Sequence, residues 1–117
     1  MAKGYAAGIK AALRALVERD EPMAHDIIRE HGPTKGRYVI RLNGEEAELT
    51  YSITSPTLII ADHTGVPDAF RGTGAGLALV TRMVEDARKE GVRIMPLCPF
   101  VNAQRKKHPE WADVFAV

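Results

Sequence analysis

The sequence holds one cysteine, Cys98, so no disulfide can form within the chain and a disulfide-stapled secreted scaffold is excluded. No apolar run approaches the ~20 residues that a membrane-spanning helix needs. The N-terminal stretch lacks the apolar segment of a signal peptide. Charge is nearly balanced, 16 Lys and Arg against 15 Asp and Glu, and the formal charge of +1 removes any global electrostatic case for nucleic acid or a membrane surface. Aromatic residues are few, and no basic stripe is interleaved with them, which argues against a single-stranded nucleic-acid platform. Cysteine usage and the missing apolar segments together point to a cytoplasmic protein.

What is present is enough for one domain. A chain of 117 residues supports a single core without staples. Tyr5 to Arg19 carries Ile9, Ala12, Leu13, Leu16 and Val17 at spacings of three and four, which predicts a helix. A second, short helix is expected over Met23 to Glu30, ended by Gly32-Pro33. Residues 1–35 thus read as a helical extension, and residues 36–117 as the main domain. There the period changes. Arg37 to Leu42 and Glu46 to Ser52 read as two strands joined by Asn43-Gly44, the strongest short hairpin signal. Ala47, Leu49 and Tyr51 share one face of the second. Thr57 to Asp62 is a third strand and completes an antiparallel meander. Gly74 to Glu90 is a helix with a buried stripe of Leu77, Val80, Val84 and Ala87 widened by Met83, stopped at Gly91. Val92 to Leu97 is a fourth strand, which the crossover makes parallel to the third, and Pro96 marks where its pairing stops or splays. A short basic helix over Phe100 to His108 and a final turn anchored by Trp111 and Phe115 follow.

The strand, the glycine-rich turn Arg71-Gly72-Thr73-Gly74-Ala75-Gly76 and the helix start form an anion-binding arrangement, with free backbone N–H groups and the positive end of the helix dipole aimed at one point. Three phosphate motifs fail here. No lysine follows Gly76, as a P-loop requires. Gly72-x-Gly74 is followed by Leu77 and Gly74-x-Gly76 by Leu79, so the dinucleotide fingerprint is absent. The lysine strand and acidic motifs of a kinase are missing.

The remaining pattern, Arg71-x-x-Gly74-x-Gly76, resembles the pyrophosphate turn of the GCN5-related N-acetyltransferases. With Asp62-His63-Thr64-Gly65-Val66-Pro67 before it, and Pro96-Leu97-Cys98-Pro99-Phe100-Val101 and His108-Pro109-Glu110-Trp111 after it, the chain from about Gly36 onward is similar to the small, single-domain YjdJ type of that family. The resemblance implies an α+β fold in which an antiparallel meander leads into a splayed parallel strand pair with a central helix. It implies acetyl-CoA as co-substrate, with Arg71, Gly72, Thr73, Gly74, Ala75 and Gly76 on the pyrophosphate. His63, Thr64, Gly65 and Val66 would run beside the pantetheine arm, and Cys98 and Pro99 would follow the other splayed strand. A backbone N–H near Thr64 to Val66 would polarise the thioester carbonyl. The implied reaction is acetyl transfer to a primary amine (a small amine, a peptide or a protein lysine) by a monomer or weak homodimer, without a metal. A binding module that holds acetyl-CoA without transfer is the alternative.

Several roles stay open on the residues alone. Cys98 is a proton donor to the departing thiolate, a nucleophile that takes the acetyl group, or a buried small residue. As a nucleophile its candidate activator is His63. His63 is a general base or a hydrogen-bonder closing the strand end. Asp62 next to it would orient it only across a bulge, because adjacent strand residues point to opposite faces. Arg71 binds phosphate or makes a surface salt bridge. Arg105-Lys106-Lys107 is a solvated face or a contact for the 3′-phosphate. No tyrosine follows Tyr51, so a tyrosine acid from the last helix is excluded. A zinc site from His63, Cys98 and His108 lacks the short ligand spacing such sites use.

Overall fold

The computed structural model describes residues 25–117. They form one five-stranded sheet whose strands lie side by side in chain order: β1 (Ile28–His31), β2 (Lys35–Leu42), β3 (Glu45–Ser55), β4 (Leu58–Gly65) and β5 (Arg93–Pro96). The first three joints are antiparallel and the last is parallel. Parallel neighbours need a crossover, and helix α1 (Ala75–Glu90) supplies it. Helix α2 (Pro99–Lys107) and 3-10 turns at Asp68–Phe70 and Pro109–Val114 complete the described chain. No helix among the described residues is long and apolar enough to cross a membrane.

The β2–β3 hairpin follows from its turn. Asn43 (φ 51°) and Gly44 (φ 80°) are both left-handed, the geometry whose twist matches the flanking strands. That turn sets the register Leu42↔Glu45, Ile40↔Ala47, Tyr38↔Leu49 and Gly36↔Tyr51. Tyr38, Ile40, Ala47, Leu49 and Tyr51 therefore share one face and are buried there. Helix α1 covers this face with Leu79, Val80, Met83, Val84 and Ala87. The Tyr38 hydroxyl donates to Asp86 Oδ2 at 2.9 Å. Burial, with that bond behind it, pushes the phenol far above its ordinary range.

Two expectations are corrected. Leu77 is 40% exposed and Leu79 is fully buried, so the apolar stripe runs through Leu79 and not through Leu77. The two residues are ~200° apart on a helical wheel, and the stripe that begins at Ala75 selects Leu79. Leu79→Ala is expected to cost about 2–3 kcal/mol of stability and Leu77→Ala under about 1, read from chemical denaturation midpoints.

The second correction is at the start of the sheet. Ile28–His31 is a strand, so the helix expected over Met23 to Glu30 does not run through Ile28–Glu30. The segment assigned to a helical extension instead supplies β1 and, at Lys35, the first residue of β2. Cross-strand partners explain it. Glu30 accepts from Arg37 Nε at 2.7 Å on the open face of the sheet, and Arg29 on the other face donates to Tyr51 Oη at 3.0 Å and pairs with Glu90. These contacts join residues far apart in the chain and outweigh a weak local helical period. The helix expected over Tyr5 to Arg19 lies outside the described residues.

Candidate active site

The site starts where β4 and β5 part. Their ladder runs from Leu58↔Arg93 to Ala61↔Pro96. Pro96 has no N–H, and the last tie is the Cys98 N–H donating to the Ala61 carbonyl at 2.9 Å. Beyond it β5 turns into α2, while β4 continues through Asp62, His63, Thr64 and Gly65 paired only with β3. The β4 edge that faces β5 is therefore open over these residues, with unpaired backbone groups of the kind an extended ligand can bond.

Cys98 stands at the N-cap position of α2, 3% exposed, with Sγ 3.2 Å from Thr64 Oγ1. Pro99 follows at the first turn of α2 and is exposed. Thr64 and Cys98 thus bracket the fork between the strands.

A bulge decides where the neighbouring side chains point. Tyr51 pairs with Ala61 and Thr50 with His63, leaving Asp62 as an extra residue. Ala61 and Thr64 consequently face α1, and Asp62 and His63 both face the opposite, open side. Asp62 and His63 therefore share a face, yet Asp62 Oδ2 accepts from Ser52 Oγ at 2.7 Å and the His63 ring makes no hydrogen bond among the described residues. His63 and Cys98 lie on opposite faces of the sheet. The expectation that His63 activates Cys98 is corrected on that ground.

The glycine turn is folded to present amides. Phe70 N–H donates to Pro67 O, Arg71 N–H to Asp68 O and Thr73 N–H to Phe70 O. Gly72 (φ 79°) and Gly74 (φ 77°) are left-handed, and their N–H groups have no acceptor among the described residues. Thr73 holds the bend: its hydroxyl donates to Phe70 O at 2.6 Å and accepts from Ala75 N–H at 3.2 Å. The carbonyl of Thr73 is turned away from the amides and accepts from His25 Nε2 at 2.8 Å, a tie from 48 residues upstream that no sequence pattern signals. Arg71 pairs with Asp68 at 3.3 Å, but both are almost fully exposed, 81% and 95%. Such a pair is worth little and leaves the guanidinium free to turn to an anion.

Two of the six turn residues also carry structural contacts. Ala75 is buried and its N–H is already engaged by Thr73. Gly76 packs against α2, where an added Cβ would stand 2.8 Å from Phe100 Cζ. Its lack of a side chain serves the α1–α2 approach. The open amides of Gly72 and Gly74, the α1 N-terminus and exposed Arg71 have the chemistry to hold a pyrophosphate, and the open β4 edge that to hold an extended amide-bearing arm such as pantetheine.

Two further candidates have structural contacts. The basic run ends α2, where it complements the negative end of the helix dipole, and Arg105 Nε donates to Asn102 Oδ1. His108 caps α2, stacks on Trp111 at 4.1 Å between centroids and pairs with Glu110.

A mixed sheet with one splayed parallel joint, leading through an amide-lined turn into its crossover helix, defines the acetyltransferase class of the GCN5 type. The chain belongs to the GCN5-related N-acetyltransferase family, whose family model matches residues 37–114. It is similar to Protein NATD1 of Bos taurus, 29% identical over 82 residues that cover 68% of this chain and 73% of that protein. The Homo sapiens NATD1 is 28% identical over the same length. The solution structure of a GCN5-like protein from Staphylococcus aureus superposes with a TM-score of 0.59 at 31% identity, covering 80% of this chain and 91% of that one.

Proposed function

We propose that the chain is an acetyl-CoA-dependent N-acetyltransferase acting on a primary amine. The observation that carries this reading is the fork: the open β4 edge, the Thr64–Cys98 pair and the amide-lined turn follow one another along a single path. Acetyl-CoA bound there supplies an activated acetyl thioester. Gly72, Gly74 and Arg71 hold its pyrophosphate, and the β4 edge from His63 to Val66 orients its arm. Cys98 holds a proton at Sγ for the departing sulfur, with the Thr64 hydroxyl fixing the thiol. His63, on the open face beside the fork, takes a proton from the incoming amine. The new C–N bond replaces the C–S bond: His63 takes the proton the ammonium loses before attack, the second nitrogen proton passes to solvent once the C–N bond has formed, and the coenzyme sulfur leaves with the Cys98 proton, which solvent restores.

One observation favours the second reading, a module that binds acetyl-CoA without transfer. Cys98 is buried against a hydroxyl, with no charged side chain within hydrogen-bond reach among the described residues. Thermal unfolding with acetyl-CoA at 100 times its Kd should gain about 2.7 kcal/mol of stability under either reading. Thiol release against amines separates them. Cys98→Ala is expected to lower kcat about 100-fold while leaving the acetyl-CoA affinity within about 2-fold. An acetyl adduct on Cys98 in the intact mass of the wild-type protein would replace the acid role with a nucleophilic one.

A further inference from the structure

We infer that the acceptor is an elongated primary amine with an acidic group at its far end, lying in a trough across the open face of the sheet with its ammonium on Asp62. The inference rests on the transferase reading above and names the acceptor side of the same site. The trough is a hollow of about 590 Å³ on the face opposite α1, lined among others by Lys35, Gly36, Arg37, Thr50, Ser52 and Asp62. Its shape follows from strand register. Lys35 is opposite Ser52 and forms one wall. Arg37 is opposite Thr50 and these form the other, with His63, the β4 partner of Thr50, continuing that row just beyond the hollow. Between the walls runs the Gly36↔Tyr51 row, whose side-chain positions point to the α1 side and leave bare backbone as the floor.

The bulge closes the trough at the fork. Without it, the residue after Ala61 would sit in register with the walls. As the extra residue, Asp62 stands at the end of the floor, next to the last β4–β5 pair, Ala61↔Pro96. Its charge is also the one left for a ligand. Glu30, Glu46 and Glu48 on the same face are each paired with Arg37 or Arg41. Asp62 has no cationic partner among the described residues, and Ser52 occupies only Oδ2. Oδ1 is free to take an ammonium N–H in a charge-assisted bond. His63 follows Asp62 on β4, on the same face and in the row of Thr50, where it can accept the proton that the ammonium must lose before it attacks.

At the other end, Lys35 has no anionic partner among the described residues, whereas Arg37 is saturated by three glutamates. Lys35 and Asp62 are two strand spacings apart, about 10 Å. A chain of roughly that length with an amine at one end and a carboxylate at the other satisfies both charges. The structure thereby assigns Asp62 and Lys35 as the specificity-determining pair of the acceptor site.

The test compares 8-aminooctanoate with 1,8-diaminooctane, equal in length and opposite in far-end charge, in a thiol-release assay at saturating acetyl-CoA. Wild type is expected to favour the amino acid about 10-fold in kcat/KM. Asp62→Asn should raise KM for both amines at least 10-fold with acetyl-CoA affinity unchanged, a split that general loss of structure does not produce. Lys35→Ala should erase the preference, lowering kcat/KM for the amino acid and raising it for the diamine, whose far ammonium no longer meets a like charge, until the two agree within about 2-fold. Failure of acetyl-CoA to bind would overturn the transferase reading itself. Turnover of other primary amines with neither of these two acetylated, or turnover with an unchanged amine KM in Asp62→Asn, would overturn the trough assignment alone.

Discussion

Gly74→Val loses acetyl-CoA binding while remaining folded: this is the expected result on which the turn stands. Gly74 has φ 77° at the N-cap of α1. A β-branched residue there is a steric outlier costing roughly 1–2 kcal/mol, and escape from that strain rotates the Gly74 peptide. The rotation removes an aligned N–H donor to an anion, worth about 1.5–3 kcal/mol. That lost bond is what the affinity registers, and it raises the Kd of acetyl-CoA about 10- to 100-fold by calorimetry. Gly91 gives the matched control. It is equally left-handed, at φ 71°, but caps the opposite end of α1. Gly91→Val should cost similar stability and leave the Kd unmoved. Equal loss of affinity in both variants would mean that strain, and not the turn's amides, sets the binding.

Gly36→Val is expected to be the most destabilising of the substitutions considered, at about 4 kcal/mol. Gly36 pairs with Tyr51, and the tyrosine ring lies over it toward His31. An added Cβ would overlap the Tyr51 hydroxyl and Cζ and stand 2.9 Å from the Glu30 carbonyl oxygen. The ring is 1% exposed and cannot swing out. Its oxygen also bonds Arg29 Nε at 3.0 Å and His31 Nδ1 at 2.5 Å. Overpacking costs ~1–3 kcal/mol, and unseating these two bonds adds ~1 kcal/mol each. The double variant Gly36→Val with Tyr51→Ala should be less destabilised than the sum of the singles by 1 kcal/mol or more, measured by denaturant unfolding. Additive losses would show that the backbone carbonyl, and not the ring, is the obstacle.

Much of this architecture is legible in the chain. Asn43-Gly44 dictates the hairpin, the alternation of Ala47, Leu49 and Tyr51 dictates the inward face, and Gly91 stops the crossover helix where its conformation requires. Pro96 marks the end of the parallel ladder through the donor it lacks. Other features are hidden because they depend on partners remote in sequence. β1 is made by Arg37, Tyr51 and Glu90, none of which is near it in the chain. The bulge is hidden for another reason. Asp62 and His63 are two polar residues in succession, which reads as the end of a strand, whereas the structure carries β4 on to Gly65. Gly76 shows the limit of motif reading: it fits the glycine pattern of the turn, and its neighbour in space is Phe100.

The sheet's plain strand order has a consequence for how the chain assembles. β1 to β4 are linked by short connections, so each joint closes a small loop at little entropic cost. The β4–β5 joint must wait for the turn and the whole of α1, which lie between Gly65 and Arg93. The fork therefore sits at the joint of the sheet with the longest loop to close, and its pairing depends on α1 being in place, as no other joint between the described strands does.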